Sequence, residues 1–154
     1  MWAPYLHHIT VHFPIVLTIV LALTGIWSLY RDSDALEELM RWIGWVVVAA
    51  AGLAVVSGLV AAPGLFGTEG SAGLRHHRDL GLTALGVAAL AAYSFERYAR
   101  GGHADWHKFA VGLWCVAAFA VVGTAHWGGS ELHPDKVPWI EQTDGTSGDR
   151  ESQP

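Results

Sequence analysis

Four long apolar stretches alternate with short polar ones along the chain. The first runs from about Pro4 to Tyr30 and carries the charge-free core FPIVLTIVLALTGIWSLY. The second runs from about Leu39 to Ala62, with WVVVAAAGLAVVSGLVAA; the third from about Leu80 to Ala99, with LGLTALGVAALAAYSF before Glu96. The fourth runs from about Phe109 to Gly128, with FAVGLWCVAAFAVVGTAHW. Each is apolar all round rather than striped, as a helix facing lipid is. A bilayer-crossing helix needs about 20 largely apolar residues. The pattern therefore predicts an all-α, four-helix transmembrane bundle over residues 1–129 and a polar, flexible tail over 130–154. A soluble bundle with a buried centre is the competing architecture, but four such spans leave too little polar surface to cover it.

The aromatic residues fit two membrane interfaces, where an amphipathic ring finds both apolar contact and a hydrogen bond. Trp27, Tyr30, Trp42, Trp45, Tyr98 and Trp106 lie near span ends on one side, and Trp2, Tyr5, Trp127 and Trp139 on the other. Trp114 lies within the fourth span and reads as packing. The start, MWAPYLHH, has no Lys or Arg and so lacks the positive region of a signal peptide. Arg31, Arg41, Arg97, Arg100 and Lys108 follow spans one and three, against Arg75, Arg78 and Lys136 on the other side. Five against three places both termini outside the cytoplasm.

Composition narrows the function. The chain is 52% hydrophobic and 15% charged, which excludes a disordered protein. A net charge of -5 removes the case for a nucleic-acid binder. The single Cys115 excludes a disulfide framework, a Cys-based zinc site and CxxCH attachment of a c-type haem.

The histidines are unevenly placed. His7, His8 and His12 open span one, His76 and His77 precede span three, His126 closes span four and His133 follows it. Only His103 and His107 fall on the inner side, so seven of nine converge on the outer end. An ionisable residue inside a membrane is a functional hypothesis by default. One such His reads as a structural hydrogen bond; several from different helices read as ligands. Depth favours His12 and His126, where an unligated imidazole is hardest to satisfy. His77 starts a helix and shares a face with Gly81.

Neutral imidazole suits Zn, Cu and Fe, and haem iron accepts axial His. Gly81, one turn after His77, and Gly123, nearly one turn before His126, sit where a flat macrocycle would approach the backbone. The plainer role is helix packing, which is also expected of Gly44, Gly52 and Gly58 in span two. Arg75 and Arg78 are placed to pair with anionic propionates or to snorkel at the interface, and both roles stand open. Glu69 and Asp79 lie in the same region; a quinol-oxidising site would need such a proton acceptor, and ordinary loop carboxylates are the plainer reading.

The string LHHITVHFPIVL resembles the LHPxxVHFP opening of the DUF2231 family of small bacterial multispan proteins. His77-Arg78-Asp79-Leu80-Gly81 resembles that family's His-Arg-x-Leu-Gly, and Ala125-His126-Trp127-Gly128-Gly129 resembles its GHxGG. The resemblance covers roughly residues 1–135 and matches His7, His12, His77, His126 and His133. The chain departs from it at His8, where the family usually has Pro. His7 and His12 are about 140° apart around a helix, so the departure leaves open which first-turn His faces the bundle. In some relatives the module accompanies c-type cytochrome domains, and the resemblance to haem-bearing membrane cytochromes implies a redox role.

The resulting expectation is a b-type cytochrome-like electron-transfer subunit in the bacterial inner membrane, with both termini outside. It holds one haem b, with histidines enough for a second, near the outer face. His7, His12, His77 and His126 are its expected ligands, with Arg75, Arg78, Gly81 and Gly123 around the macrocycle. Partners are membrane lipid and a larger membrane redox complex, with quinol or a c-type cytochrome as redox partner. The acidic tail offers a surface to steer a basic partner, or only a solvated end. The alternative is a non-haem Cu or Zn subunit, or a purely structural one.

Overall fold

The computed structural model describes residues 3–31, 33–61 and 72–132. The described residues form four helices: α1 Ala3–Ser28, α2 Asp34–Ala61, α3 Ala72–Ala99 and α4 Ala104–Leu132. No strand occurs among the described residues. Each helix packs on its sequence neighbours, and α4 closes the ring on α1. The start of α1 meets the end of α2, and the end of α1 meets the start of α4, so the chain runs up, down, up, down.

Helices α1, α2 and α4 are long and apolar enough to cross a membrane. Helix α3 begins earlier than its apolar stretch and takes Arg75, His76, His77, Arg78 and Asp79 into its first turns, which lowers its mean hydropathy. Its outer face still exposes Leu82, Leu90 and Tyr93, as α1 exposes Phe13 and Leu23 and α4 exposes Phe119. An apolar belt on every helix is the surface of a bundle whose solvent is lipid. Helix α4 continues past residue 129 to Leu132. The rest of the tail, with His133 and Lys136, and the 62–71 connection, with Glu69, lie outside the described residues.

The helix ends follow from local chemistry. Ser33 caps α2, its Oγ accepting from the Leu36 N–H, and Asp34 and Glu37 add negative charge to the first turn. Helix α3 stops in a Schellman turn: Gly102 N–H donates to the Arg97 carbonyl at 3.1 Å and Gly101 N–H to the Tyr98 carbonyl at 2.9 Å. Gly101 supplies the positive φ of 85° that this turn requires.

The spans carry little hydrophobic contrast, yet each has a buried stripe at three- and four-residue spacing. In α1 it is Pro14, Thr18, Leu21, Gly25 and Ser28; in α2 it is Met40, Gly44, Val47 and Ala54. Gly73, Ala84, Ala88, Ala91 and Phe95 form the α3 stripe, and His107, Ala110, Trp114 and Ala117 that of α4. Small residues dominate, because in lipid close backbone approach and van der Waals packing hold helices together. Trp114, 1% exposed, is the largest core side chain, with Cζ2 only 3.2 Å from a Cβ placed on Gly44. Gly44 thus performs the packing role expected of it. Gly52, off the stripe, has nothing within 4 Å, and the packing role assigned to it is not seen.

Candidate functional site

The buried stripes select which histidines enter the bundle. His7 lies seven residues before Pro14, and His77 seven before Ala84, so each continues its helix's inner face. Their rings meet edge to face, with centroids 6.2 Å apart and planes at 89°. His12 and His126 fall off the stripes and are exposed. Depth along the helix favoured His12; helical phase gives the inner position to His7.

Each inner imidazole is anchored through Nδ1. His77 Nδ1 lies 2.8 Å from the Thr124 carbonyl of α4. A carbonyl only accepts, so His77 Nδ1 carries the proton and Nε2 the lone pair. His7 Nδ1 lies 3.0 Å from Ser57 Oγ of α2. The Ser57 hydroxyl donates to the Ala54 carbonyl at 2.9 Å and the Thr10 hydroxyl to the His7 carbonyl at 2.9 Å. Ser57 Oγ is thereby left to accept from His7 Nδ1–H, and His7 also presents Nε2 as its lone pair. This is the tautomer that an Nε2 ligand needs, set by a hydrogen bond at the other ring nitrogen.

Gly58 provides the floor of the site. A Cβ there would stand 2.9 Å from His7 Cε1 and 3.3 Å from Nδ1. The sequence reading does not single out Ser57 or Thr124, and it gives Gly58 only a packing role; the signal available for the site was that Gly58 lies in register with Gly44 and Ala54.

The remaining expected residues lie around this pair. Gly81 faces Thr124, with 3.8 Å from its Cβ position to Cγ2, and Gly123 faces Leu80, with 3.7 Å to Cδ1. Both line the α3–α4 contact at ordinary van der Waals distance. Arg75 and Arg78 are half-buried on the first turns of α3, and Arg78 pairs with Asp79 at 2.7 Å. His76 packs beside Trp127 with ring centroids 5.6 Å apart, and the His126 ring lies 6.1 Å from Trp127. His12 Nδ1 donates to the His8 carbonyl within its own helix.

A second polar ring closes the opposite end. His107, only 9% exposed, stacks on Tyr98 at 4.7 Å and 13° between planes. Its Nε2 lies 2.8 Å from Ser28 Oγ, and the Tyr98 hydroxyl donates to Glu37 Oε1 at 2.7 Å. Each ring takes one residue from every helix: His7, Ser57, His77 and Thr124 at one end; Ser28, Glu37, Tyr98 and His107 at the other. From His7 to Ser28 the helix rises about 32 Å at about 1.5 Å per residue, close to the thickness of a hydrocarbon core. The two rings thus mark the two ends of the apolar belt.

Compared with protein-family models, curated proteins and solved structures, the chain matches none.

Proposed function

We propose that this protein is a membrane electron-transfer subunit that binds b-type haem through His7 and His77. The observation that carries this reading is the geometry of that pair. The two rings come from different helices and stand 6.2 Å apart, centroid to centroid. Both rings have Nδ1 engaged and Nε2 presenting its lone pair, and both come from helices held by a third and a fourth.

The donor set favours haem over the copper or zinc alternative. Among the described residues no group of three or more His, Cys, Asp or Glu is gathered as a metal site. A structural zinc centre takes four protein ligands and a catalytic one three, whereas haem would need only the imidazoles of His7 and His77 from the protein. Bound haem supplies one-electron iron chemistry at a potential set by the axial groups, burial and nearby charge. Thr124 and Ser57 hold the imidazoles in orientation, and Gly58 makes room for the His7 ring. Arg75 and Arg78, at the start of α3, supply cationic partners for carboxylates at the membrane boundary. Quinol or a c-type cytochrome is the proposed redox partner within a larger complex. The proposed location is a bacterial inner membrane with both termini outside.

The test is a visible spectrum of detergent-purified protein from haem-replete cells, oxidised and then reduced, with acid-acetone extraction. Extractable haem with a low-spin spectrum is expected. His7→Ala or His77→Ala should give high-spin iron or loss of haem, while His12→Ala and His126→Ala keep the low-spin form. A colourless preparation, or a spectrum indifferent to His7 and His77, would overturn the reading.

A further inference from the structure

The outer face of α1 carries a histidine pair that the inner site does not use. His8 and His12 are one helical turn apart, about 40° around the axis, and both are exposed. Their rings stand 4.9 Å apart, centroid to centroid, with planes at 80°. His12 Nδ1 lies 2.6 Å from the His8 carbonyl. That carbonyl accepts, so the His12 proton sits on Nδ1 and Nε2 keeps its lone pair. His7 is turned away, about 100° from His8, with its Nδ1 committed to Ser57.

We propose that His8 and His12 form a two-histidine chelate for a divalent first-row transition metal on the outside of the bundle, separate from the His7–His77 site. Using metal–nitrogen bonds of about 2.0–2.1 Å, ligands at a tetrahedral angle place ring centroids about 5 Å apart. The 4.9 Å separation brings the two rings within the span of a single metal, as histidines at i and i+4 on one helix face supply. The backbone carbonyl of His8 fixes the His12 tautomer for an Nε2 ligand. Two protein ligands leave the other coordination positions to water or to a donor from another molecule. Imidazole nitrogen suits Cu(II) and Zn(II), and the general affinity order places Cu(II) first.

The chain is purified in detergent without a polyhistidine tag and titrated with Cu(II), and separately with Zn(II), by calorimetry. Bound Cu(II) is then read by electron paramagnetic resonance. One tight equivalent is expected, with Cu(II) bound more tightly than Zn(II) and a copper spectrum showing nitrogen coupling. His8→Ala and His12→Ala should each weaken binding by about tenfold or more, the usual scale for disrupting a metal site. His103→Ala, exposed in the turn before α4 at the other end of the bundle, should leave it unchanged. Each variant is checked for retained helix content by circular dichroism. Equal binding in the His8→Ala/His12→Ala double variant and the unaltered chain would overturn the proposal. So would the absence of a tight equivalent in the unaltered chain.

Discussion

The imidazole of His107 lies flat on the phenol of Tyr98, 4.7 Å between ring centres, while its Nε2 reaches Ser28 Oγ at 2.8 Å. The Ser28 hydroxyl donates to the Gly25 carbonyl, so the His107 proton sits on Nε2. Here Nε2 is the anchored nitrogen, where in the His7–His77 pair it is Nδ1, and the contacts tie α4 to α1 and α3. His107 thus acts as a structural clasp. His107→Ala removes a buried ring and its hydrogen bond and should destabilise the bundle by about 2–4 kcal/mol. His107→Phe keeps the stacking surface and should cost roughly half as much. Thermal unfolding in detergent, followed by circular dichroism, checks both; equal losses would show that stacking contributes little.

The up-down-up-down course fixes a topology test. With four crossings, a reporter in the Leu29–Ser33 turn and one at the C-terminus should lie on opposite sides of the membrane. A reporter in the Arg100–His103 turn should share the side of the first. Were α3 to lie outside the bilayer, the chain would cross three times and the C-terminal reporter would share the side of the Leu29–Ser33 turn. The apolar outer residues Leu82, Leu90 and Tyr93 of α3 argue for four crossings.

The helices were legible because their lengths and apolar runs alone demand them, and the gathering of histidines at one end of the bundle followed from topology. Which histidines meet was harder to read. In an apolar-all-round span, hydrophobicity does not mark the inner face; residue size does. Pro14, Thr18, Gly25 and Ser28 mark it in α1, and that phase carries back to His7 rather than His12. The same phase in α3 selects His77, and in α4 it leaves His126 outside. The anchors Ser57 and Thr124 carry no sequence signal, since each is defined only by the partner that another helix brings.

Gly81 and Gly123 distinguish packing from cofactor contact. Their Cβ positions have 3.8 and 3.7 Å to the nearest atoms across the α3–α4 contact, so Ala fits without displacement. Gly81→Ala and Gly123→Ala should leave stability within about 1 kcal/mol of the unaltered chain and keep haem. Gly→Leu at either position forces the helices apart and should destabilise the fold by about 1–3 kcal/mol. Haem loss in the alanine variants with unchanged unfolding would instead place a macrocycle against these backbones.

Gly58 gives the sharpest test of the His7–His77 site, because its neighbour in kind, Gly52, serves as a control on the same helix. A methyl at Gly58 would lie 2.9 Å from His7 Cε1, closer than real Cβ contacts allow, so the ring must move. His7 is held by Ser57 at 3.0 Å, and moving the ring breaks that bond and changes its placement against the His77 ring. Gly58→Ala should therefore lower haem per protein several-fold, or convert low-spin to high-spin iron, with helix content retained. Gly52 has nothing within 4 Å, and Gly52→Ala should keep full haem and gain up to about 1 kcal/mol from helix propensity. The readout is the ratio of haem absorbance to protein, with circular dichroism beside it. Equal haem in both variants would show that the His7 ring is not an axial ligand, since a ligand displaced by a methyl group cannot hold iron in the same geometry.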